Sequence, residues 1–192
     1  MHTLTASFLT LFALYGCRSS DSDTAVSSVD IDAQVEAWLS DMSLDEKVEQ
    51  MHGSTFDAGL YRTAENERLG IPGFAMSDGP RGVTAGISTT FPVAMARGAS
   101  WDPDLELRIG RAIAMELRAK GGNVILAPAM NLLRHPAWGR AQEVYGEDTH
   151  HMTEFSLAFV SGAQEWAVAT PKHFAVNSIE DTRFDLDVTI DE

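Results

Sequence analysis

At 192 residues, 44% hydrophobic and 22% charged, the chain has the composition of a globular domain with a core of its own, and is too short for most large enzymes. Its formal net charge of −14, with no basic cluster, excludes a nucleic-acid partner, because phosphate contacts need grouped Lys and Arg. One cysteine, Cys17, excludes an intramolecular disulfide framework.

The chain opens with LTASFLTLFALY (residues 4–15), an apolar run as long as a signal-peptide core and too short to span a bilayer as a helix. Gly16-Cys17 and the polar stretch RSSDSDTAVSS follow, and the whole resembles a bacterial lipoprotein signal in which Cys17 becomes the lipidated first residue. It departs from that pattern in lacking Lys or Arg after Met1 and in carrying bulky Tyr15. The expectation is a signal peptide over residues 1–17 and a flexible linker over 18–29. The product would be exported from a bacterial cell to the periplasm, to the outer membrane through a lipid anchor on Cys17, or to the medium.

From Asp30 the apolar residues take helical spacing: Ile31, Val35, Trp38, Leu39 and Met42, then Leu44, Val48 and Met51. Ser43 stands three residues before Glu46, a capping box that predicts two consecutive helices. Ile71 to Met76 is a short apolar run bounded by Gly and Pro, as in a buried strand ending at Ser77-Asp78. The clearest helix follows Asp102 at N-cap and Pro103 at N1; Leu105, Ile109, Ile113 and Leu117 recur every four residues until Gly121 stops it. NVILAPAMNLLR reads as a second strand, THHMTEFSLAFVSGAQE as a second helix and WAVATPKHF as a third strand.

Strand, helix, strand, helix, strand, with apolar strands, predicts an α/β fold whose parallel sheet is covered on both faces. In such folds chemistry gathers at the carboxyl ends of the strands. Each strand here ends in polar residues: Asp78, then Asn131 and Arg134 leading to Arg140, then Lys172-His173. Adjacent Lys and His suit a core poorly, so three such ends point to one site. His52, His135 and His173 have no metal-ligand spacing, and no cofactor motif follows any strand. His150 and His151 read as solvent-facing, Glu180 and Arg183 as a structural pair, and the Met and Trp residues as core.

Four segments resemble the amino-terminal barrel domain of family 3 glycoside hydrolases in the family's order. They are MSLDEKVEQMHG, RLGIPGFAMSDGPRGV, the long block from TTFPVAMARGASWD to GRAQEVYGED, and KHFAVNSIEDTR. The resemblance covers about Ile31 to Glu192 and implies the amino-terminal part of a TIM-like (β/α)8 barrel over residues 30–192, truncated at its carboxyl end. It implies that Asp78, Arg140, Lys172 and His173 line the subsite for a nonreducing-terminal sugar, Asp78 accepting from hydroxyls and the other three donating. Arg81 and Glu143 lie in the motifs and either touch sugar or orient a neighbour.

The implied reaction is retaining hydrolysis of a β-glucoside, with no metal or cofactor. By the same resemblance neither catalytic carboxylate is present: the nucleophile Asp and the acid/base Glu are expected beyond Glu192. AVNSIEDTR after Lys-His-Phe lacks the Pro-Gly loop and His-Asp pair of the N-acetylglucosaminidase branch, and SDGPRGV differs from the xylosidase Glu-Ala-Leu-His-Gly. The alternatives are a non-catalytic sugar-binding lipoprotein and a β-xylosidase-type member of the family.

Overall fold

A computed structural model describes residues 30–189; the expected signal, linker and Cys17 lie outside them. The chain divides into two units after Ser40. The first carries helix α1 (Ile31–Asp41), on which Ile31, Val35 and Leu39 are exposed and Trp38 is half-buried.

In the second unit, helix α2 (Leu44–Glu49) begins with the expected capping box, Ser43 Oγ accepting from the Glu46 N–H and Glu46 accepting from the Ser43 N–H. Arg68 donates to both Glu46 oxygens, and these bonds, with that from Ser43, hold the Glu46 carboxyl at about 2. The apolar stripe of this helix is not core: Leu44, Val48 and Met51 are exposed, and only Met42, just before it, is buried. Of the other Met and Trp residues expected inside, Trp101, Met115, Met130 and Trp166 are also exposed.

A hairpin comes next, strands β1 (Gly53–Asp57) and β2 (Leu60–Thr63), and β2 pairs antiparallel with β3 (Ala75–Asp78). The parallel ladder runs from β3 through β4 (Val124–Leu126) to β5 (Val168–Ala169), in a five-stranded sheet ordered β1 to β5. The three expected strands and their parallel pairing are present. The antiparallel hairpin was not expected, and β3 starts later than the apolar run because Ile71 bridges Asn66 in a preceding turn. Past β5, Lys172 still pairs with Ala129, its N–H donating to the Pro128 carbonyl at 2.9 Å.

Short helix α3 (Ala94–Gly98) precedes α4 (Pro103–Ala119), capped by Asp102 Oδ1 on the Leu105 N–H at 2.9 Å. Helix α5 (Thr149–Ala163) is capped by Asp148 in the same way. Ile113, Leu117, Ile125 and Phe159 are fully buried where α4 and α5 cover the sheet, each such side chain contributing about 1.5–3 kcal/mol. The helices touch at Gly162, where a Cβ would stand 2.0 Å from the Leu107 carbonyl oxygen. A second apolar cluster, Ala129, Trp138, Val144, Tyr145, Met152 and Phe155, backs the segment between β4 and α5. These βα units, one layer of helix on a parallel sheet, are part of a TIM-like barrel.

Candidate active site

Each of the four expected residues follows a strand. Asp78 is the last residue of β3; Arg140 opens a 3-10 turn (Ala141–Glu143) after β4; Lys172 and His173 follow β5. Parallel pairing brings these strand ends to one edge, so residues 94 apart meet: Lys172 Nζ donates to Asp78 Oδ1 at 3.1 Å.

Arg140 is held from two sides. Its Nε and Nη2 grip both oxygens of Glu143 at 2.9 and 2.6 Å, and its Nη1 lies 2.8 Å from His173 Nε2. Burial alone would raise the Glu143 carboxyl, but the Arg140 hydrogen bonds and charge bring it below the usual range; those bonds in turn raise the Arg140 guanidinium. Glu143 thus holds Arg140 on one side by two hydrogen bonds.

His173, expected to donate to a sugar hydroxyl, has both ring nitrogens facing protein groups. Its Nδ1 lies 2.8 Å from Asn131 Oδ1, an oxygen that also accepts from the His173 backbone N–H at 3.2 Å. An amide oxygen can only accept, so Nδ1 carries the proton and Nε2 accepts from Arg140. Burial, then the Arg140 and Lys172 charges, push the imidazole below its ordinary value. The imidazole thus stands between Asn131 and Arg140, with one nitrogen on each.

Asp78, Arg140 and Lys172 face one open cavity of about 600 Å3, together with Arg81, Glu143, Gln142 and Arg183. His173 lies behind it, on an adjoining cavity with Asn131 and Arg134, so Arg134 does not join the expected cluster. Asn131, 8% exposed, was legible only as a polar strand end; nothing in its spacing signals that it fixes a histidine tautomer. Arg183 pairs with Glu180 at 3.0 Å, as expected, and also reaches the cavity wall. His151 departs from its expected exposure: it packs between Trp101 and Phe155, with ring centroids 4.5 Å away on each side. Among the described residues no three His, Cys, Asp or Glu side chains converge to hold a metal ion.

An acceptor flanked by two cations, open on one side, can bind vicinal hydroxyls, each of which donates to one neighbour and accepts from the next.

Residues 39–189 match the glycosyl hydrolase family 3 N terminal domain. A beta-glucosidase of Rhizobium radiobacter is 38% identical over 162 residues, covering 80% of this chain and 19% of that protein. Beta-glucosidase B of Emericella nidulans is 35% identical over 167 residues, 83% of this chain and 19% of its own. Among solved structures, beta-glucosidase 3B from Thermotoga neapolitana in complex with glucose superposes with TM-score 0.73 at 33% identity, over 77% of this chain and 24% of that one. DesR, a beta-glucosidase from Streptomyces venezuelae in complex with D-glucose, does so with TM-score 0.78 at 28% identity, over 83% and 21%. The chain thus spans about a fifth of the length of the curated relatives it matches.

Proposed function

This chain belongs to glycoside hydrolase family 3, whose N-terminal domain it matches, and on that premise we propose that it supplies the sugar-binding face of a retaining β-glucosidase. The observation that carries the proposal is the Asp78–Lys172 contact at the ends of β3 and β5, opening with Arg140 onto one cavity. Asp78 Oδ2 and the remaining Lys172 and Arg140 N–H groups are aimed at neighbouring hydroxyls of a terminal glucose. Charge-assisted hydrogen bonds of this kind contribute about 1.5–3 kcal/mol each. An inverted or missing hydroxyl leaves one of these groups unpaired, and the epimer is rejected for that reason.

In retaining hydrolysis a carboxylate attacks the anomeric carbon as the glycosidic C–O bond breaks and an acid protonates the leaving oxygen; water then releases the sugar. The family resemblance assigns neither catalytic carboxylate to the residues of this chain. Asp78 is ion-paired to Lys172 and serves as a hydroxyl acceptor. Asn131 and His173 fix Arg140 from behind, and Glu143 fixes it from the side, so its donors are set before sugar arrives. Export through residues 1–17, with lipidation at Cys17, completes the reading, and membrane partition of Cys17→Ser against the parent tests it.

The test of function is turnover of 4-nitrophenyl β-D-glucoside by the protein carrying this chain, with the product followed by NMR. β-D-Glucose released first, and glucoside preferred to xyloside, is the expected result. Glucose binding with no turnover would instead establish the non-catalytic sugar-binding reading.

A further inference from the structure

Arg97 stands in α3 among small and apolar residues, yet it is charged and 3% exposed. A buried guanidinium persists only where its charge and N–H groups are answered. Here Nε and Nη2 donate to the two oxygens of Glu106, itself 1% exposed on α4, at 2.8 and 3.0 Å. The buried Tyr145 hydroxyl donates to the same carboxylate at 2.7 Å. Nη1 is left for two backbone carbonyls, Pro80 at 2.8 Å and Pro92 at 2.7 Å.

Those prolines stand at opposite ends of one loop. Between them, Arg81, Gly82, Val83, Thr84, Thr89 and Thr90 form a wall of the cavity that Asp78, Arg140 and Lys172 face. The Phe91 N–H donates to the Arg81 carbonyl at 2.8 Å just inside the same closure. Gly82, at φ +128°, lies where a Cβ would stand 2.2 Å from the Thr89 carbonyl oxygen, so the two limbs of the loop are in contact. A single amino group thus draws both loop ends together, and Glu106 and Tyr145 hold it in that orientation. Replacing a whole buried ion pair by apolar groups is often neutral for stability, so stability does not account for retaining it. Its specific product is loop geometry.

We propose that Arg97, aimed by Glu106 and Tyr145, is a positioning residue that clasps the 80–92 loop and so fixes the cavity wall beside Asp78 for the sugar. The proposal rests on the β-glucosidase reading of that cavity. The loop contributes wall and no reacting carboxylate. Unclasping it therefore lowers the fraction of molecules ready to bind, which raises KM and leaves kcat near the parent value.

The test compares the parent with the triple variant Arg97→Met, Glu106→Leu, Tyr145→Phe, which removes the whole buried network and leaves no unpaired carboxylate. Arg97→Lys, which keeps a cation beside Glu106 but cannot reach both carbonyls, is the second variant should the triple fail to fold. Amide hydrogen exchange over residues 81–91 is expected to quicken about tenfold with α4 and α5 unchanged. KM on 4-nitrophenyl β-D-glucoside is expected to rise about tenfold, with kcat within about threefold of the parent. Unchanged loop exchange, or faster exchange with parental KM, overturns the proposal. A parent without turnover overturns the glucosidase reading instead, and loop exchange alone then decides whether Arg97 clasps the loop.

Discussion

Arg140 Nη1 lies 2.8 Å from His173 Nε2, and the contact requires a neutral imidazole, because a protonated Nε2 would turn a donor toward a cation. The ring is committed to that state by its other nitrogen, whose proton goes to Asn131 Oδ1. The contacts form one chain: Asn131 sets the tautomer, the tautomer sets the contact with Arg140, and Arg140 faces the cavity.

The first prediction is a pH dependence. Burial and neighbouring cations depress His173 in the folded state, while the unfolded chain titrates it near the ordinary value of about 6.5. Just below that pH the unfolded state binds more protons. Stability from this group is therefore full above about pH 6.5 and is lost as pH falls through the depressed folded value. Urea melts from pH 7.5 to 5 should show the decline, and His173→Gln should flatten it.

Asn131→Leu leaves the His173 Nδ1–H and backbone N–H without an acceptor. The expected cost is about 1–3 kcal/mol in denaturant unfolding. Kinetics on the folded variant should worsen too, because the ring is then free to turn and release Arg140. Asn131→Asp should act oppositely on the imidazole, its carboxylate favouring the protonated ring in the folded state and so weakening the acid decline.

Lys172→Met removes the counterion of Asp78 and, on the proposed reading, a donor to sugar. The expected loss in kcat/KM on a β-glucoside is about 30- to 1000-fold, with the melting temperature little changed. His173→Ala should cost less, about tenfold, since Glu143 still grips Arg140 by two bonds. Equal losses would return His173 to direct contact with sugar.

Gly162→Ala tests the packing of α4 on α5. A Cβ there would lie 2.0 Å from the Leu107 carbonyl oxygen and 2.9 Å from the Arg111 nitrogen, both backbone atoms. Helix propensity favours Ala by about 1 kcal/mol, yet overpacking of a rigid contact costs about 1–3 kcal/mol, so the variant should melt lower. A higher melting temperature would mean that the helices separate without penalty.

The parallel strands, α4 with its cap, and α5 were legible because their signals are local: Asp102-Pro103, the four-residue apolar repeat, and apolar runs ending in polar residues. The hairpin was not, because β1 is exposed along its length and has no apolar alternation to reveal it. The stripe Leu44, Val48 and Met51 misled for the converse reason: periodicity marks an apolar face without saying what covers it. At the site, Asp78 and Lys172 were legible as strand ends, and Arg140 through the family resemblance. The clasp at Arg97 was not, since its partners lie 5, 9 and 17 residues away and two of them are carbonyls. A lone Arg in the small-residue run AMARGAS was the only trace.

The claim at the centre is that the cavity at the ends of β3 and β5 holds the terminal sugar through Asp78, and kcat/KM of Asp78→Ala against the parent tests it most directly. Asp78 Oδ1 is engaged by Lys172 and Oδ2 has no hydrogen-bond partner within the described residues, so the substitution removes a hydroxyl acceptor and leaves Lys172 unpaired. A loss of about 100- to 1000-fold on 4-nitrophenyl β-D-glucoside is expected in a protein that still folds. A folded Asp78→Ala protein that hydrolyses the glucoside at the parent's kcat/KM would contradict it.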